Sequence, residues 1–183
     1  MFDHKKFFRL IVKVHQDTNH MYDGYIPYEF HLMMALTIAK RFIHLIPEEH
    51  QPFVFAAVAA HDSMEDARLT YNDVRKIALK CGATEDQATM IAEMVRAVTN
   101  DGRGRDRDER MPDYIYEDIK TVFYSLFAKL CDRLANVNYG LITGGSMPKK
   151  YKKENPHFKE KLYTQELYEE MWNELKSLFD KVK

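Results

Sequence analysis

The stretch FVFAAVAAHDSMEDARLT, residues 53–70, joins an apolar segment directly to a cluster of titratable side chains. Phe53 to His61 is apolar on nearly every helical face, a pattern typical of a helix that is buried on most sides. A histidine and three carboxylates then follow within residues 61–66. The stretch therefore predicts a central, buried helix that ends in a polar cluster.

The rest of the chain repeats the helical pattern of this segment. Of its 183 residues, 45% are hydrophobic, which suffices for one domain with a core of its own. Glycine and proline are sparse, at 7 and 6 residues, and apolar residues recur at helical spacing throughout. These features predict a single all-α domain over residues 1–183.

Charge and cysteine content exclude several classes of function. A formal net charge of −1 argues against a nucleic-acid partner bound by a general basic surface. No apolar run is long enough to span a bilayer, and no cleavage-site pattern follows the basic N-terminus, so we expect no membrane partner. Cys81 and Cys131 match no metal or redox spacing. Free thiols of this kind fit a reducing, cytoplasmic location.

Apolar periodicity and turn residues also predict the positions of the elements. Thr70 with Asp73 resembles a capping box, Gly82 closes that helix, and Thr84 begins the next. Residues 100–113 and 140–148 are predicted as polar loops. The predicted helices are a first helix with Phe7, Leu10, Ile11 and Val14 on one face, a second over residues 30–42, a third over 53–61, a fourth over 70–80, a fifth from 84, a long helix over 115–139, and one amphipathic helix from Asn155 onward with Trp172 on its apolar face.

Three sets of polar side chains lie in apolar surroundings on separate predicted helices. The first set is His61, Asp62, Glu65 and Asp66, whose members four residues apart share a helical face. The other two are Asp132 with Asn136 and Lys129, and Tyr28 with His31. A buried carboxylate is costly unless it is paired or binds a metal. Two imidazoles and two carboxylates from three helices are a suitable ligand set for Mn²⁺, Fe²⁺ or Zn²⁺.

Each set taken alone also has a purely structural interpretation. His31 suits a hydrogen-bonded core histidine, and Asp132 suits a structural partner for Arg133. A metal site is favoured because all of these polar groups occur in one chain with apolar flanks: His31, the pair His61-Asp62, the pair Glu65-Asp66, and Asp132. Glu65 and Asp66 would then orient or deprotonate an attacking water.

The same residues carry a resemblance to a known family. YDGYIPYEFHL, AAHDSMEDARLT, VRAVTND and KLCDRLANV resemble, in order, the motifs of the HD-domain metal-dependent phosphohydrolases, and within them the small alarmone hydrolases. The motifs lie within residues 11–139, and residues 140–183 are predicted to form a loop and an additional C-terminal helix. The resemblance implies an HD-domain helical bundle that removes the 3′-pyrophosphate of the nucleotide ppGpp.

The resemblance also implies roles for individual residues. His31, His61, Asp62 and Asp132 match the metal ligands, usually of one Mn²⁺, and Glu65 and Asp66 match the pair that acts on water. Three positions match the lining of the nucleotide pocket, and a fourth is a weaker match: Tyr28, Lys129 and Asn136, then Thr99. The resemblance leaves the existence of a homo-oligomer open.

Some positions depart from the family pattern. The family usually has a pair of basic residues before the Pro-Tyr motif, where this chain has Asn19 and His20. Ala67 replaces the usual threonine after Glu-Asp, and Asn138 stands where an arginine is common. The departures leave the nucleotide open, and two alternatives remain: an HD-type phosphatase of another nucleotide, or a non-catalytic nucleotide sensor.

Two charged stretches flank these motifs. Arginines alternate with acids over residues 101–110, and MPKKYKKENP, residues 147–156, is rich in lysine. Each suits a solvated segment, and each also suits a strap that binds polyphosphate through its basic side chains.

Overall fold

The computed structural model describes residues 1–100 and 111–182 of the chain. The predicted all-α fold is confirmed, since within these residues the strands form only one antiparallel hairpin, β1 (Met21–Tyr22) with β2 (Ile26–Pro27). A short 3₁₀ helix at Ile43–Leu45 follows the second helix. The described α-helices are α1 (His4–Asp17), α2 (Glu29–Phe42), α3 (Gln51–Ala60), α4 (Tyr71–Lys80), α5 (Glu85–Val98), α6 (Asp113–Thr121), α7 (Ser125–Thr143), α8 (Met147–Leu162) and α9 (Glu169–Asp180).

Helix α3 is the central element that its composition predicts. It packs against α1, α2, α5 and α7. Val54, Val58 and Ala60 are fully buried, and only Gln51, Pro52 and Phe55 of this helix retain intermediate exposure. Burying each valine side chain contributes on the order of 1.5 kcal/mol. The helix ends at Ala60, so His61 and Asp62 emerge from the middle of the bundle.

Capping residues set the α4–α5 hairpin as the sequence indicates. Thr70 and Asp73 form a reciprocal capping box at α4, and Thr84 forms the same arrangement with Gln87 at α5. Gly82 has a φ of +87°, and a Cβ there would lie 2.9 Å from the carbonyl oxygen of Met1. Glycine is therefore required at this turn both by backbone angle and by space.

The predicted long helix over residues 115–139 is wrong in two respects. It is two helices, α6 and α7, separated at residues 122–124, and α7 continues to Thr143. Tyr124 adopts a left-handed φ of +63° at the break. Ile115, Ile119, Val122 and Leu126 keep helical spacing across the interruption, so periodicity alone could not locate it.

The C-terminal region also differs from the prediction of a loop followed by one helix. Helix α8 begins at Met147, inside the predicted loop, and includes Pro156. Helix α8 ends at Leu162, and α9 begins only at Glu169, after Tyr168 with a φ of +56°. Arg133 of α7 anchors α8, because its guanidinium lies 3.9 Å from the ring centroid of Phe158 and 4.7 Å from that of Tyr151. Trp172 lies on the buried face of α9, as expected.

Two further predictions concern membrane-spanning segments and the arginine-rich stretch. Among the described residues, no helix is both long enough and apolar enough to cross a membrane. The arginine-rich stretch over residues 101–110 lies outside the described residues, so its role stays a prediction.

Candidate metal centre

Four side chains from three parts of the fold converge in the bundle interior. His31 comes from the first turn of α2, His61 and Asp62 follow the end of α3, and Asp132 comes from the middle of α7. Each offers one ligand atom, and these atoms lie within 4.8 Å of one another. This is the group of potential ligands that the described part of the chain brings together, and it coincides with the predicted set.

The distances within this cluster are short and mutually consistent. The Nε2 atoms of His31 and His61 are 3.2 Å apart. Asp62 Oδ2 lies 2.8 Å from His61 Nε2 and 3.3 Å from His31 Nε2. Asp132 Oδ1 lies 3.3 Å and 3.5 Å from the same two nitrogens. Both imidazoles are buried, whereas the carboxylates keep side-chain exposures of 17% and 12%. The cluster is therefore open on the carboxylate side.

The tautomer of His61 fits a cation at this position. His61 Nδ1 lies 2.8 Å from the backbone oxygen of Val58. Nδ1 donates to that carbonyl, so Nε2 is the nitrogen that faces the cluster, where a bound cation would take the place of its proton. Two imidazole nitrogens and two carboxylate oxygens form a donor set accepted by Mn²⁺, Fe²⁺ and Zn²⁺. These residues can hold a divalent cation.

The two aspartates of the cluster are anionic. Burial raises the pKa of Asp132, but hydrogen bonds with His31 and His61 outweigh it and hold that pKa below its usual value. Burial likewise raises the pKa of Asp62, and the charge of His61 together with hydrogen bonds from both histidines brings it well below its usual value. Burial lowers the pKa of His31 and of His61, but the same two carboxylates outweigh it and raise both, so a cation bound here would displace imidazole protons.

Asp66 is attached to this cluster through Tyr28. The Tyr28 hydroxyl lies 2.5 Å from Asp62 Oδ2 and 3.1 Å from Asp66 Oδ2. Residues 61–66 form turns rather than a continued helix, yet Asp66 N still donates to the Asp62 carbonyl at 2.8 Å. Burial, followed by repulsion from Asp62 and Glu65, raises the pKa of Asp66 to about 7. A carboxyl with this pKa exchanges protons readily near neutral pH.

Glu65 points away from the Tyr28 contact. Its Oε2 accepts a hydrogen bond from the backbone nitrogen of Asn100 at 3.3 Å, beyond the end of α5. The two acids of the Glu-Asp pair therefore have different surroundings, which their adjacency in sequence does not reveal.

The side chains predicted to line a nucleotide pocket are already hydrogen-bonded to protein. Lys129 is buried and donates to the Val98 carbonyl at 3.0 Å, with Asn100 Oδ1 at 3.4 Å. Asn136 Nδ2 donates to Asp132 Oδ1 at 2.5 Å. Thr99 donates to the carbonyl of Val95 in its own helix. Lys129 and Asn136 adjoin the site, and their contact with a nucleotide stays a prediction.

Asn19 and His20 occupy different positions relative to the cluster. Asn19 is exposed, with a left-handed φ of +54°. The ring of His20 stacks on Tyr28 with centroids 4.0 Å apart, and His20 Nδ1 lies 4.0 Å from Asp66 Oδ2. An imidazole therefore stands beside the Glu-Asp pair where the family pattern predicts a basic pair.

The sequence interpretation missed two aromatic neighbours of the site. Tyr22 of β1 stacks on His31, and its hydroxyl donates to Asn136 Oδ1 at 2.9 Å. His15 is fully buried and stacks on Tyr28 at 4.7 Å, and neither of its ring nitrogens has a hydrogen-bond partner among the described residues. His15 continues the buried positions Phe7 and Ile11 of α1 at four-residue spacing, so periodicity alone could have placed it in the core.

Comparisons with protein-family models, curated proteins and solved structures give no match to this chain. The geometry of the site and the sequence motifs are therefore the observations that bear on function. The geometry supports a cation-binding site, and the motifs suggest phosphohydrolase chemistry at that site.

Proposed function

We propose that the chain is a metal-dependent phosphohydrolase that acts on a nucleotide. The leading specific case is guanosine-3′,5′-bis(diphosphate) 3′-pyrophosphohydrolase, with one Mn²⁺ as the preferred metal and Fe²⁺ or Zn²⁺ as acceptable ones. One observation carries the proposal: the buried group of His31, His61, Asp62 and Asp132 is hydrogen-bonded through Tyr28 to a further carboxyl, Asp66. A simple structural ion pair has no need of that additional acid.

The proposed reaction adds water across a phosphoester bond. The water oxygen bonds to phosphorus and the bond to the 3′-oxygen of the ribose breaks. The 3′-oxygen takes up a proton from solvent and becomes a hydroxyl, so the products from ppGpp are GDP and pyrophosphate. A divalent ion held by His31, His61, Asp62 and Asp132 would supply Lewis acidity at the phosphoryl group and would acidify a nearby water. Asp66 receives the proton from that water, and Tyr28 orients Asp66 relative to Asp62.

The surroundings of the site support a nucleotide other than ppGpp as the second candidate. His20 provides an aromatic ring next to Asp66, where a pair of fixed cations would suit a highly phosphorylated guanine nucleotide better. A nucleotide with fewer phosphates requires fewer cations.

Cys81 and Cys131 are both buried thiols, which agrees with the proposed cytoplasmic location.

The experiment that tests the proposal measures release of phosphate and of pyrophosphate with added Mn²⁺. The panel is ppGpp, pppGpp, GDP, GTP, deoxynucleoside monophosphates and NADPH. GDP and pyrophosphate from ppGpp would support the leading case. Phosphate or pyrophosphate released only from another nucleotide would support the phosphohydrolase activity and identify a different substrate.

A matched variant separates catalysis from binding. Glu65→Gln with Asp66→Asn removes both acids while leaving the four proposed ligands in place. Turnover that disappears in this variant while metal content is retained supports the assigned roles. Silence of the wild-type chain across the whole panel, with metal bound, would overturn the enzyme in favour of a nucleotide sensor.

A further inference from the structure

A groove lies on the side of the bundle formed by α1, α2 and α3. Helices α1 and α2 both pack against α3, and between them they leave a groove of about 670 Å³. Its floor is apolar, with Phe8 from α1, Leu36 from α2, and Phe55 and Ala59 from α3. None of these residues belongs to the candidate metal centre, so the groove is a separate feature of the surface.

The rim of this groove is basic. Lys5 and Arg9 lie four residues apart on α1, and Lys40 faces them from α2. Among the described residues, no acidic side chain lines the groove. Lys5, Arg9 and Lys40 form no salt bridge with any side chain in the part of the chain that the structure describes. The groove therefore combines an apolar floor with three basic side chains that have no salt-bridge partner among the described residues.

The apolar surface continues across α2. Met33, which is 50% exposed, and Thr37 line this groove and also a second one of about 430 Å³ between α2 and α7. The second groove adds Phe30 and Ile142, which are 42% and 85% exposed. Clustered exposed apolar side chains of this size mark interaction surfaces. Because the two grooves share Met33 and Thr37, they form one elongated apolar surface along α2, which favours a macromolecular partner.

We propose that this face binds an acidic amphipathic helix of a partner protein. The apolar stripe of that helix would lie between α1 and α2, over Phe8 and Leu36, in the manner of helix-in-groove recognition. Its carboxylates would meet the rim of Lys5, Arg9 and Lys40. A second copy of this chain fits less well, because two copies placed face to face would bring the two basic rims together. A flat bilayer fits less well because the apolar floor is concave.

The position of the groove relates partner binding to the metal centre. Met33 lies two residues after His31 on α2, and Ala59 lies two residues before His61 at the end of α3. A bound helix would therefore pack on the outer faces of the two helices that carry the proposed ligands.

The test uses the full-length chain and two designed peptides as probes. Both peptides place leucines at positions i, i+3, i+4 and i+7, and they differ only in having glutamates or lysines on the other faces. Isothermal titration should show binding of the glutamate peptide alone, weakening as salt is added. Reversal of the rim by Lys5→Glu, Arg9→Glu and Lys40→Glu should weaken this binding by about tenfold and create affinity for the lysine peptide.

The lysines of α8 provide the matched control. Lys149→Glu, Lys150→Glu and Lys153→Glu make the same change in net charge at exposed positions away from the groove, and they should leave peptide binding unchanged. Equal binding of both peptides, or equal loss in both triple variants, would overturn the proposal. A dimer in solution that Met33→Asp disrupts would instead assign the face to a second copy. Sedimentation with phosphatidylserine vesicles, lost in the rim variant, would assign it to a membrane.

Discussion

The phenol ring of Tyr22 lies face to face with the imidazole of His31, with centroids 4.9 Å apart and an angle of 14° between the planes. The Tyr22 hydroxyl donates to Asn136, which in turn donates to Asp132. Tyr22, which is not a proposed ligand, therefore contacts His31 of α2 directly and is linked to Asp132 of α7 through the side-chain amide of Asn136. The two-residue strand β1 places Tyr22 in this position.

We predict that Tyr22 contributes to metal affinity through both its ring and its hydroxyl. Tyr22→Phe retains the stacking and loses one hydrogen bond, so affinity should fall by a few fold. Tyr22→Leu also loses the planar contact with His31, and affinity should fall about 10- to 100-fold, as is usual when groups that orient ligands are removed. Titration of the chelated chain with Mn²⁺ measures both values.

Tyr25→Phe is the control, because Tyr25 lies on the same hairpin and is 70% exposed. It should bind Mn²⁺ like the wild type. Wild-type affinity in Tyr22→Leu would show that the stacking does not hold His31.

The metal itself should stabilise the fold. A cation that binds only the folded chain adds about 3–4 kcal/mol to the free energy of unfolding when its concentration is a few hundred times Kd. Thermal melts with Mn²⁺ and with chelator should therefore differ for the wild type. His31→Ala should remain folded and show no such difference, and it should also lack activity.

His44→Ala serves as the control for the melts, since His44 is an exposed histidine beyond α2 that contacts Glu170 rather than the cluster. It should keep the metal-dependent difference. Identical wild-type melts in Mn²⁺ and in chelator would mean that Asp132 and its neighbours are structural.

The two acids of the Glu-Asp pair should contribute unequally to turnover. Asp66 is hydrogen-bonded to Tyr28, which contacts the cluster, whereas Glu65 accepts a hydrogen bond from the backbone nitrogen of Asn100. Asp66→Asn should therefore lower kcat about 10²- to 10⁴-fold, within the range typical of proton-transfer residues. Glu65→Gln should have the smaller effect, and both variants should retain metal. The reverse order of effects on kcat would exchange the two roles.

The sequence was sufficient to predict the elements that local patterns define. The all-round apolar character of α3 predicted its burial, and the capping residues Thr70 and Thr84 predicted two helix starts. The convergence of His31, His61, Asp62 and Asp132 was also predictable, because each is a polar residue in an apolar run. These properties depend on residues close together in the chain.

Features that depend on tertiary packing were not predictable in this way. The break at Tyr124 preserves apolar spacing on both sides, and helix α8 accommodates Pro156 within its length. The turn at Asp23 and Gly24 was expected, but no local pattern shows that the hairpin returns Tyr22 to His31. The stack of His15, Tyr28 and His20 likewise joins positions whose proximity only the folded chain establishes.

His15 should make the folded state sensitive to acid. Burial lowers the pKa of His15 to about 4, against about 6.5 in an unfolded chain. Between these two values the unfolded chain binds a proton that the folded chain does not. Stability from this group is therefore present above about pH 6.5 and is lost as the pH falls, by about 2 kcal/mol at pH 5.

Urea unfolding of the chelated chain at pH 7 and pH 5 tests this sign and size. His15→Phe keeps a ring against Tyr28 and cannot titrate, so its loss of stability between the two pH values should be smaller than the wild type's by about 2 kcal/mol. His4→Gln, at an exposed position of the same helix, should leave the wild-type difference intact. An equal loss in wild type and His15→Phe would show that His15 is protonated in the folded chain, in which case its ring nitrogens have partners in solution.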